Sequence, residues 1–358
     1  MSRYSRHIVL SEIGHIGQEK LSKAKVLVIG AGGLGCPVLQ YLTAAGIGTI
    51  GVIDHDTVEV SNLQRQILFG TSSLGLNKAL AAKRRLEDLN PTITIHAYPE
   101  KLTHSNAKSY FEAYDIIVDG TDNFETRYLI SDMAIIQNKP VVYAAIFKFE
   151  GQVSVFNYQN GPSYRCVFPN PPNEGSVSNC SEVGVLGVLP GIIGSMQANE
   201  VLKIILDFGY ILSGKILCFN SKTSETAIIK VSKSETAFSK ALNKDASLQN
   251  DYIHTSCPTE TSHISIKDAL KLTNTEFIDV REIHEQPKLD TLNHLQIPLR
   301  ELEQKITEIN TDKTSIIFCQ SGIRSQQAIG LLRKHNIQNS YSLREGVSKL
   351  IEELNIKA

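Results

Sequence analysis

Short apolar runs alternate with longer segments of helical character along the first two-thirds of the chain. Runs rich in Val and Ile predict buried strands at residues 25–30, 49–53, 115–119 and 141–146. The segments between them predict helices at residues 34–46, 77–90 and 123–138. This alternation is typical of a mostly parallel sheet covered by helices on both faces, so the pattern predicts an α/β fold.

The alternation stops at a stretch rich in Pro, Gly and Asn. Residues 157–183 show no periodicity, and loops of this length in compact domains are usually functional or disordered. A helix at 190–207 and two short closing strands at 217–219 and 227–231 are predicted after it.

A polar segment rich in Ser, Thr, Lys and Asn then separates two α/β patterns, which predicts a linker. The second pattern has predicted strands at 276–280, 315–318 and 340–343 and a helix at 325–335. We therefore predict a domain at 1–231, a linker at 232–262 and a smaller α/β domain at 263–358.

Charge and cysteine content narrow the class of protein. The 358 residues include 36 basic and 37 acidic side chains, for a formal net charge of -1. This balance argues against nucleic-acid binding and against a polybasic membrane-surface protein. The longest apolar stretch is interrupted by glycines and Pro190, so we expect no membrane span. No secretory signal is visible and no two cysteines form a C-x-x-C pair, so we expect a cytoplasmic location.

A glycine-rich motif follows the first strand and opens a helix. Gly30-Ala-Gly32-Gly33-Leu-Gly35 matches G-x-G-x-x-G, which lets a phosphate approach a helix N-terminus. Asp54 ends the next strand, where a carboxylate can bind a ribose hydroxyl. By itself this motif favours NAD and an oxidoreductase.

The residues that follow favour ATP instead. Asn62, Arg65 and Lys78 are an amide and two cations that suit a triphosphate whose pyrophosphate must leave. Asp122 ends another strand, where a carboxylate is suited to the magnesium that accompanies ATP.

Several separate motifs resemble those of the MoeB/ThiF family, relatives of ubiquitin-activating enzymes. They include Arg3-Tyr-Ser-Arg6-His-Ile, the glycine loop, Asp54-His-Asp56, Ser61-Asn-Leu-Gln-Arg-Gln66 and Thr121-Asp-Asn123. A further motif at 180–191 is closest to the molybdopterin-synthase adenylyltransferase branch. The resemblance covers residues 1–231 and implies a Rossmann-like ubiquitin-activating-enzyme fold. It also implies adenylation of the C-terminal Gly carboxylate of a small ubiquitin-like sulfur carrier, similar to MoaD or ThiS.

The resemblance also implies roles for individual residues. The implied nucleotide-binding residues are Arg6, Gly30, Gly32, Gly33, Asp54, Asp56, Asn62, Arg65 and Lys78. The implied catalytic residues of this domain are Arg65, Lys78 and Asp122, with Asp122 as the Mg²⁺ ligand. Arg6 would reach the site of a partner subunit, which implies a homodimer, and the carrier tail would lie under the loop at 157–183.

One family feature is absent from the sequence. Many relatives hold a structural zinc with two C-x-x-C pairs, but here the first pair is Ser163-Tyr-Arg-Cys166 and only Cys257 remains of the second. Two thiolates cannot close a tetrahedral site, so we predict no zinc.

The smaller domain carries a thiol at the start of a loop that leads into a helix. Cys319-Gln-Ser-Gly-Ile-Arg324 follows a strand, so backbone N–H groups and the helix N-terminus would stabilise a Cys319 thiolate. With Phe277-Ile-Asp-Val-Arg281 upstream, residues 263–358 resemble a rhodanese domain, in which Cys319 would carry a persulfide. Related phosphatase loops have one more residue between Cys and Arg.

Together these features predict a cytoplasmic adenylyltransferase and sulfurtransferase that uses a persulfide sulfur donor. Cys180 stands where relatives fused to rhodanese carry a second functional cysteine, so we expect it to help release the thiocarboxylate. Two alternatives stay open at this point: an NAD-dependent oxidoreductase with a fused redox domain, and a non-catalytic scaffold that docks a sulfur carrier.

Overall fold

The computed structural model describes residues 3–172, 184–243, 263–320 and 322–357. They divide into two compact units, the first with the described residues up to 243 and the second with those from 263 onward. Among the described residues, no helix combines the length and the apolar character that a membrane crossing requires.

The first unit is built from nine described α-helices and an eight-stranded sheet. The helices are α1 (Ser5–Ile8), α2 (Gly14–Lys23), α3 (Gly35–Ala45), α4 (Lys78–Leu89), α5 (His104–Ala113), α6 (Phe124–Ile136), α7 (Tyr164–Val167), α8 (Val188–Leu206) and α9 (Glu235–Asn243). The strands are β1 (Lys25–Ile29), β2 (Thr49–Ile53), β3 (Thr94–Tyr98), β4 (Ile116–Asp119), β5 (Val141–Phe147), β6 (Glu150–Phe156), β7 (Lys215–Asn220) and β8 (Glu225–Lys230).

The sheet order is β3-β2-β1-β4-β5-β6-β7-β8. β1 to β5 pair in parallel, which confirms the predicted α/β fold, whereas β6 to β8 extend the sheet by antiparallel pairs. β3, α5 and β6 are not among the predicted elements. A tight turn at Lys148, which has a positive φ of 53°, connects β5 to β6. β6 then pairs with β5 along its whole length, and this pairing stabilises the strand.

Hydrophobic cores lie on both faces of the sheet. Alternate residues of β1 enter opposite cores: Val26 and Val28 pack with α3, α4 and α8, whereas Leu27 and Ile29 pack with α5 and α6. All four side chains are almost fully buried. A central parallel strand buried on both faces explains why this run is continuously apolar in the sequence.

Three glycines bring the ends of β1 and β4 into close backbone contact. A Cβ on Gly35 would lie 1.9 Å from the Gly30 carbonyl oxygen, and a Cβ on Gly30 would lie 2.8 Å from the Gly120 carbonyl oxygen. Gly30 also has a φ of +94°, which other residues rarely adopt. The glycine loop is therefore required for packing as well as for any ligand.

The segment predicted as a linker begins with a helix. α9 packs against α6, with Ala237 and Ala241 buried, because two small side chains four residues apart give the otherwise polar segment one apolar face. Residues 244–262 lie outside the described residues, and the proposed domain boundaries at 231 and 263 stay predictions.

The second unit is a smaller α/β sandwich. Its strands are β9 (His263–Ile264), β10 (Thr275–Asp279), β11 (His294–Gln296), β12 (Thr314–Phe318) and β13 (Ser340–Leu343), and its helices are α10 (Ile266–Ala269), α11 (Ile323–Lys334) and α12 (Val347–Lys357). The sheet order is β11-β10-β12-β13-β9, and every pair is parallel. Ile317 packs with the core that holds α11, whereas Ile316 and Phe318 pack with the core that holds α12.

The close contact around Gly35 predicts opposite effects for two glycine substitutions. Gly35→Ala should lower the free energy of unfolding by at least about 2 kcal/mol, because backbone atoms cannot move aside as a side chain would. Gly191→Ala in α8 should raise it by roughly 0.5–1 kcal/mol, because no described heavy atom outside the helix's own backbone lies within 4 Å of the added Cβ. Denaturant unfolding measures both, and parental stability in Gly35→Ala would contradict the packing role.

Candidate active sites

Three neighbouring strands bring the predicted nucleotide residues to one edge of the first sheet. β1 lies between β2 and β4, with Ile29 paired to Ile53 and to Asp119. The glycine loop after β1 therefore stands between Asp54, directly after β2, and Asp122, three residues after β4. The carboxyl edge of a parallel sheet is where α/β proteins bind ligands.

The Asp54 carboxylate is fixed by the backbone around it. Oδ2 accepts a hydrogen bond from the Ala31 N–H at 2.8 Å, and Oδ1 accepts one from the Asp56 N–H at 2.9 Å. Burial raises the pKa of Asp54, while Lys78 and these two N–H groups act against the rise. Because a carboxylate has about four acceptor positions, Asp54 retains capacity for donors such as ribose hydroxyls.

The glycine loop leaves room for a phosphate beside Gly32. Among the described residues other than its chain neighbours, a Cβ on Gly32 would meet only the Gln66 Nε2 atom, at 3.9 Å, whereas one on Gly33 would crowd Pro190 at 3.1 Å. The eleven-residue helix α3 begins at Gly35, directly after this space. Free N–H groups and the helix dipole favour an anion there.

A buried lysine and an arginine flank the loop. Lys78, the first residue of α4, has an exposed fraction of 7% and lies 3.0 Å from the Asp56 carboxylate. The Arg65 side chain passes 3.6 Å from the Cβ position of Gly33 and donates to the Ser61 carbonyl. The predicted cations are thus brought to the glycine loop, with Lys78 held by Asp56.

Asn62 has a structural hydrogen bond within the same loop. Its Oδ1 accepts from the Glu59 N–H at 3.1 Å, and the side chain is buried. Its amide nitrogen remains the part of the side chain suited to a phosphate oxygen.

A buried network supports the turn that carries Asp122. Asp119 accepts from the Thr121 N–H and hydroxyl at 3.0 and 2.7 Å, and Arg127 donates to the Thr121 carbonyl at 2.8 Å. Asp122 itself is exposed. One exposed carboxylate beside a phosphate space suits Mg²⁺, which takes one or two carboxylates together with substrate phosphates.

Two predicted site residues are not found at this sheet edge, namely Arg6 and Cys180. Arg6 is exposed on α1, and within the described part of the chain its side chain has no hydrogen bond or ion pair. Cys180, like Val183 and most of the second half of the predicted loop, lies outside the described residues.

Cys166 is the cysteine that remains of the first pair of the zinc motif. Its sulfur accepts a hydrogen bond from Ser234, just before α9. Cys166 Sγ accepts from the Ser163 N–H at 3.3 Å and from the Ser234 N–H at 3.2 Å. The residue that contacts the Cys166 sulfur from the other segment is therefore Ser234. Cys257 lies outside the described residues. Among the described residues, one cysteine sulfur with serine neighbours does not supply the ligands of a tetrahedral zinc site, and the absence of zinc stays a prediction.

In the second unit, Cys319 lies at the base of the predicted loop. Its side chain is almost fully buried, and the Gly322 N–H donates to Sγ at 3.1 Å. Gly322 precedes α11 with a φ of +90°, which turns its N–H back toward the sulfur. This N–H and the start of α11 suit a negatively charged sulfur.

Arg324 is held by a carboxylate that the sequence does not predict. Its two terminal nitrogens donate to the Glu285 oxygens at 2.5 and 2.8 Å, and these hydrogen bonds lower the pKa of Glu285. The pair is thus charged near neutral pH. The only sequence signal is an acidic residue four positions after Arg281, which is weak because the pair spans 39 residues.

The chain thus has one α/β unit whose sheet edge suits a nucleotide and a second α/β unit whose loop presents a thiol. The ThiF family profile matches residues 4–240, and the rhodanese-like domain profile matches residues 245–353. The chain belongs to the ThiF family and carries a C-terminal rhodanese-like domain.

Curated relatives align either with about the length of one unit or with nearly the whole chain. A sulfur carrier protein adenylyltransferase of Thermus thermophilus is 50% identical and aligns over 62% of this chain and 83% of its own. A probable molybdopterin-synthase adenylyltransferase of Porphyra purpurea is 41% identical over 94% of this chain and 89% of its own. The probable adenylyltransferase/sulfurtransferase MoeZ of Mycobacterium tuberculosis is 34% identical over 97% and 92%. None of these three is named an oxidoreductase, so the NAD-dependent alternative gains no support.

Solved structures share the fold of the first unit. Escherichia coli MccB, solved with MccA-N7isoASN, has a TM-score of 0.57 and 24% identity over 65% of this chain and 72% of its own. Together with the ThiF family match, this likeness confirms the Rossmann-like α/β fold predicted for the first unit.

The hydrogen bonds to the Cys166 sulfur predict that this part of the first unit is stable without a metal ion. Cys166→Ala should lower the free energy of unfolding by about 1–3 kcal/mol, because two N–H groups lose their acceptor. A chelator should leave the melting temperature of the parent unchanged. Cys218→Ala, at a half-buried position of β7, is the control and should cost less than about 1 kcal/mol. One zinc per chain in elemental analysis would contradict the prediction.

Proposed function

We propose that this enzyme adenylates the C-terminal Gly carboxylate of a small ubiquitin-like sulfur carrier and then converts it to a thiocarboxylate. The observation that carries the proposal is the joint arrangement of Asp54, the open Gly32 space and Lys78 at one sheet edge. Sulfur would come from a persulfide on Cys319. The names of the adenylyltransferase and sulfurtransferase relatives agree with both steps.

In the first step, a carboxylate oxygen of the carrier attacks the α-phosphorus of ATP. The new O–P bond replaces the bond to pyrophosphate, and the product is an acyl-adenylate. Asp54 would accept hydrogen bonds from the ribose, and the glycine loop would bind phosphate oxygens. Asn62, Arg65 and Lys78 would stabilise the charge that develops on the leaving pyrophosphate.

Lys78 has a specific part in this step. Its present partner Asp56 is half-exposed, so a triphosphate can replace that carboxylate without leaving the buried ammonium unpaired. Asp122 would hold Mg²⁺, which when bound supplies electrostatic stabilisation of the phosphates. The Arg127 contact to Thr121 would keep the Asp122 turn in position.

In the second step, the terminal sulfur of the Cys319 persulfide attacks the acyl carbon and AMP leaves. The product is an acyl disulfide between the carrier and Cys319. The Cys180 thiolate would attack Cys319 Sγ and release the thiocarboxylate. The resulting Cys180–Cys319 disulfide would then be reduced by an external thiol before the next persulfide is loaded.

The partners follow from the chemistry. The carrier would resemble MoaD or ThiS, and a persulfide-carrying protein would be the sulfur donor. We propose a homodimer in which Arg6 reaches the partner's nucleotide, since its side chain is exposed and has no hydrogen bond or ion pair among the described residues. The scattered cysteines support a cytoplasmic location.

Two variants should separate the two activities. Asp122→Ala should lower carrier-dependent ATP–pyrophosphate exchange by at least about a hundredfold, because the metal loses its protein ligand. Cys319→Ser should keep exchange within about twofold while abolishing thiocarboxylate formation from a persulfide donor. Exchange measures the first step, and mass spectrometry of the carrier measures the second.

Controls distinguish these effects from misfolding and from other sulfur sources. Arg324→Ala and Glu285→Gln should both slow sulfur loading without changing exchange, because each breaks the same ion pair. Cys180→Ser should spare exchange and loading and slow only product release. Full thiocarboxylate formation by Cys319→Ser without free sulfide would refute the role of the second unit.

Arg6 should act across the dimer. Arg6→Ala and Asp122→Ala should each be inactive alone, but a verified heterodimer of the two should recover up to about half of the parental exchange, since one site is then complete. Exchange by affinity-purified heterodimers measures this. If heterodimers stay inactive, Arg6 does not act in trans.

A further inference from the structure

Gln66 is a buried glutamine beside the glycine loop that the proposed mechanism does not use. It follows Arg65, and its exposed fraction is 3%. Its backbone is fixed by two turn hydrogen bonds, from its own N–H to the Asn62 carbonyl and from the Phe69 N–H to its carbonyl. The position of the side chain is thus set by the surrounding turn.

The side-chain amide of Gln66 has unused hydrogen-bonding capacity. Among the described residues, Oε1 is buried without a hydrogen-bond partner, and Nε2 makes no hydrogen bond. A buried polar group without a partner costs stability, so such groups in a folded protein call for an explanation.

Gln197 offers a comparison within the same unit. Its Oε1 is also buried without a described partner, but its Nε2 donates to the carbonyls of Asp119 and Val142 at 2.9 and 3.1 Å. That glutamine joins α8 to β4 and β5 and has a structural role. Gln66 makes no such connection.

The free end of Gln66 is directed at the space where a phosphate fits. Its Nε2 is the one described atom, apart from the chain neighbours of Gly32, within 4 Å of a Cβ built on Gly32. The same space faces the start of α3. A donor held against a phosphate cradle can form a charge-assisted hydrogen bond.

We propose that Gln66 is a phosphate ligand: its side-chain N–H donates to an oxygen of the nucleotide phosphate that lies against Gly32. The inference rests on the proposed adenylation. The contact is made equally in the bound substrate and in the transition state, because the amide is fixed and Gly32 does not move with the leaving group. Gln66 therefore sets the affinity for ATP, and the turnover number does not depend on it.

Three variants test this assignment in the full chain. Gln66→Met keeps the length but removes the donor, so the KM for ATP in pyrophosphate exchange should rise about ten- to a hundredfold with kcat within threefold. Gln66→Glu keeps the shape but repels phosphate, so KM should rise at least as much. Gln197→Met should lower the melting temperature and change KM less than threefold.

Thermal stability without nucleotide separates a ligand from a structural residue. Gln66→Met should melt at or above the parental temperature, because it removes a buried unpaired oxygen, whereas Gln197→Met should melt lower. A KM within twofold of the parent in Gln66→Glu overturns the inference, whatever the melting temperatures are. An inactive parent would instead refute adenylation itself.

Discussion

The nucleotide edge depends on the backbone contact between the ends of β1 and β4. The Gly30 carbonyl lies where a Cβ on Gly35 would stand, and the Gly120 carbonyl lies against Gly30. This contact sets where α3 begins and brings the turn that carries Asp122 beside the glycine loop. The Asp54 to Ala31 hydrogen bond then attaches the end of β2 to the same loop. The absence of a Cβ at these three positions thus brings the Asp54 carboxylate, the open space at Gly32 and the turn that carries Asp122 to one place.

Most of this edge could be predicted from the sequence because its information is local. β1, β2 and β4 are largely apolar runs; the glycine loop and Asp54 follow β1 and β2 directly, and Asp122 stands three residues after β4. The start of the helix predicted at residues 77–90 is equally local, since the Asn77 side chain accepts from the Leu80 N–H and caps α4. In contrast, β3 has mixed exposure and β6 is stabilised by its pairing with β5, so neither has a clear pattern of its own.

The ion pairs could not be predicted for a similar reason. Lys78 and Asp56 are 22 residues apart, and Arg324 and Glu285 are 39 apart, so only the fold shows which charges meet. The serine opposite Cys166 was missed because the sequence directs attention to the remaining cysteine, whereas α9 brings Ser234 to the sulfur. Local motifs identify which chemistry is present, and tertiary contacts determine the partner of each charge.

The pairing of Arg324 with Glu285 has a consequence for anion selectivity. A free guanidinium beside a thiol loop would attract phosphate esters and inorganic phosphate, which are abundant in cells. Here both terminal nitrogens are already bonded to a carboxylate, so a phosphate dianion would have to displace an internal ligand of the same sign. Sulfur bound covalently to Cys319 needs no such charge. The ion pair between Arg324 and Glu285 therefore favours the sulfur proposed to be bound to Cys319 over phosphate from solution in this loop.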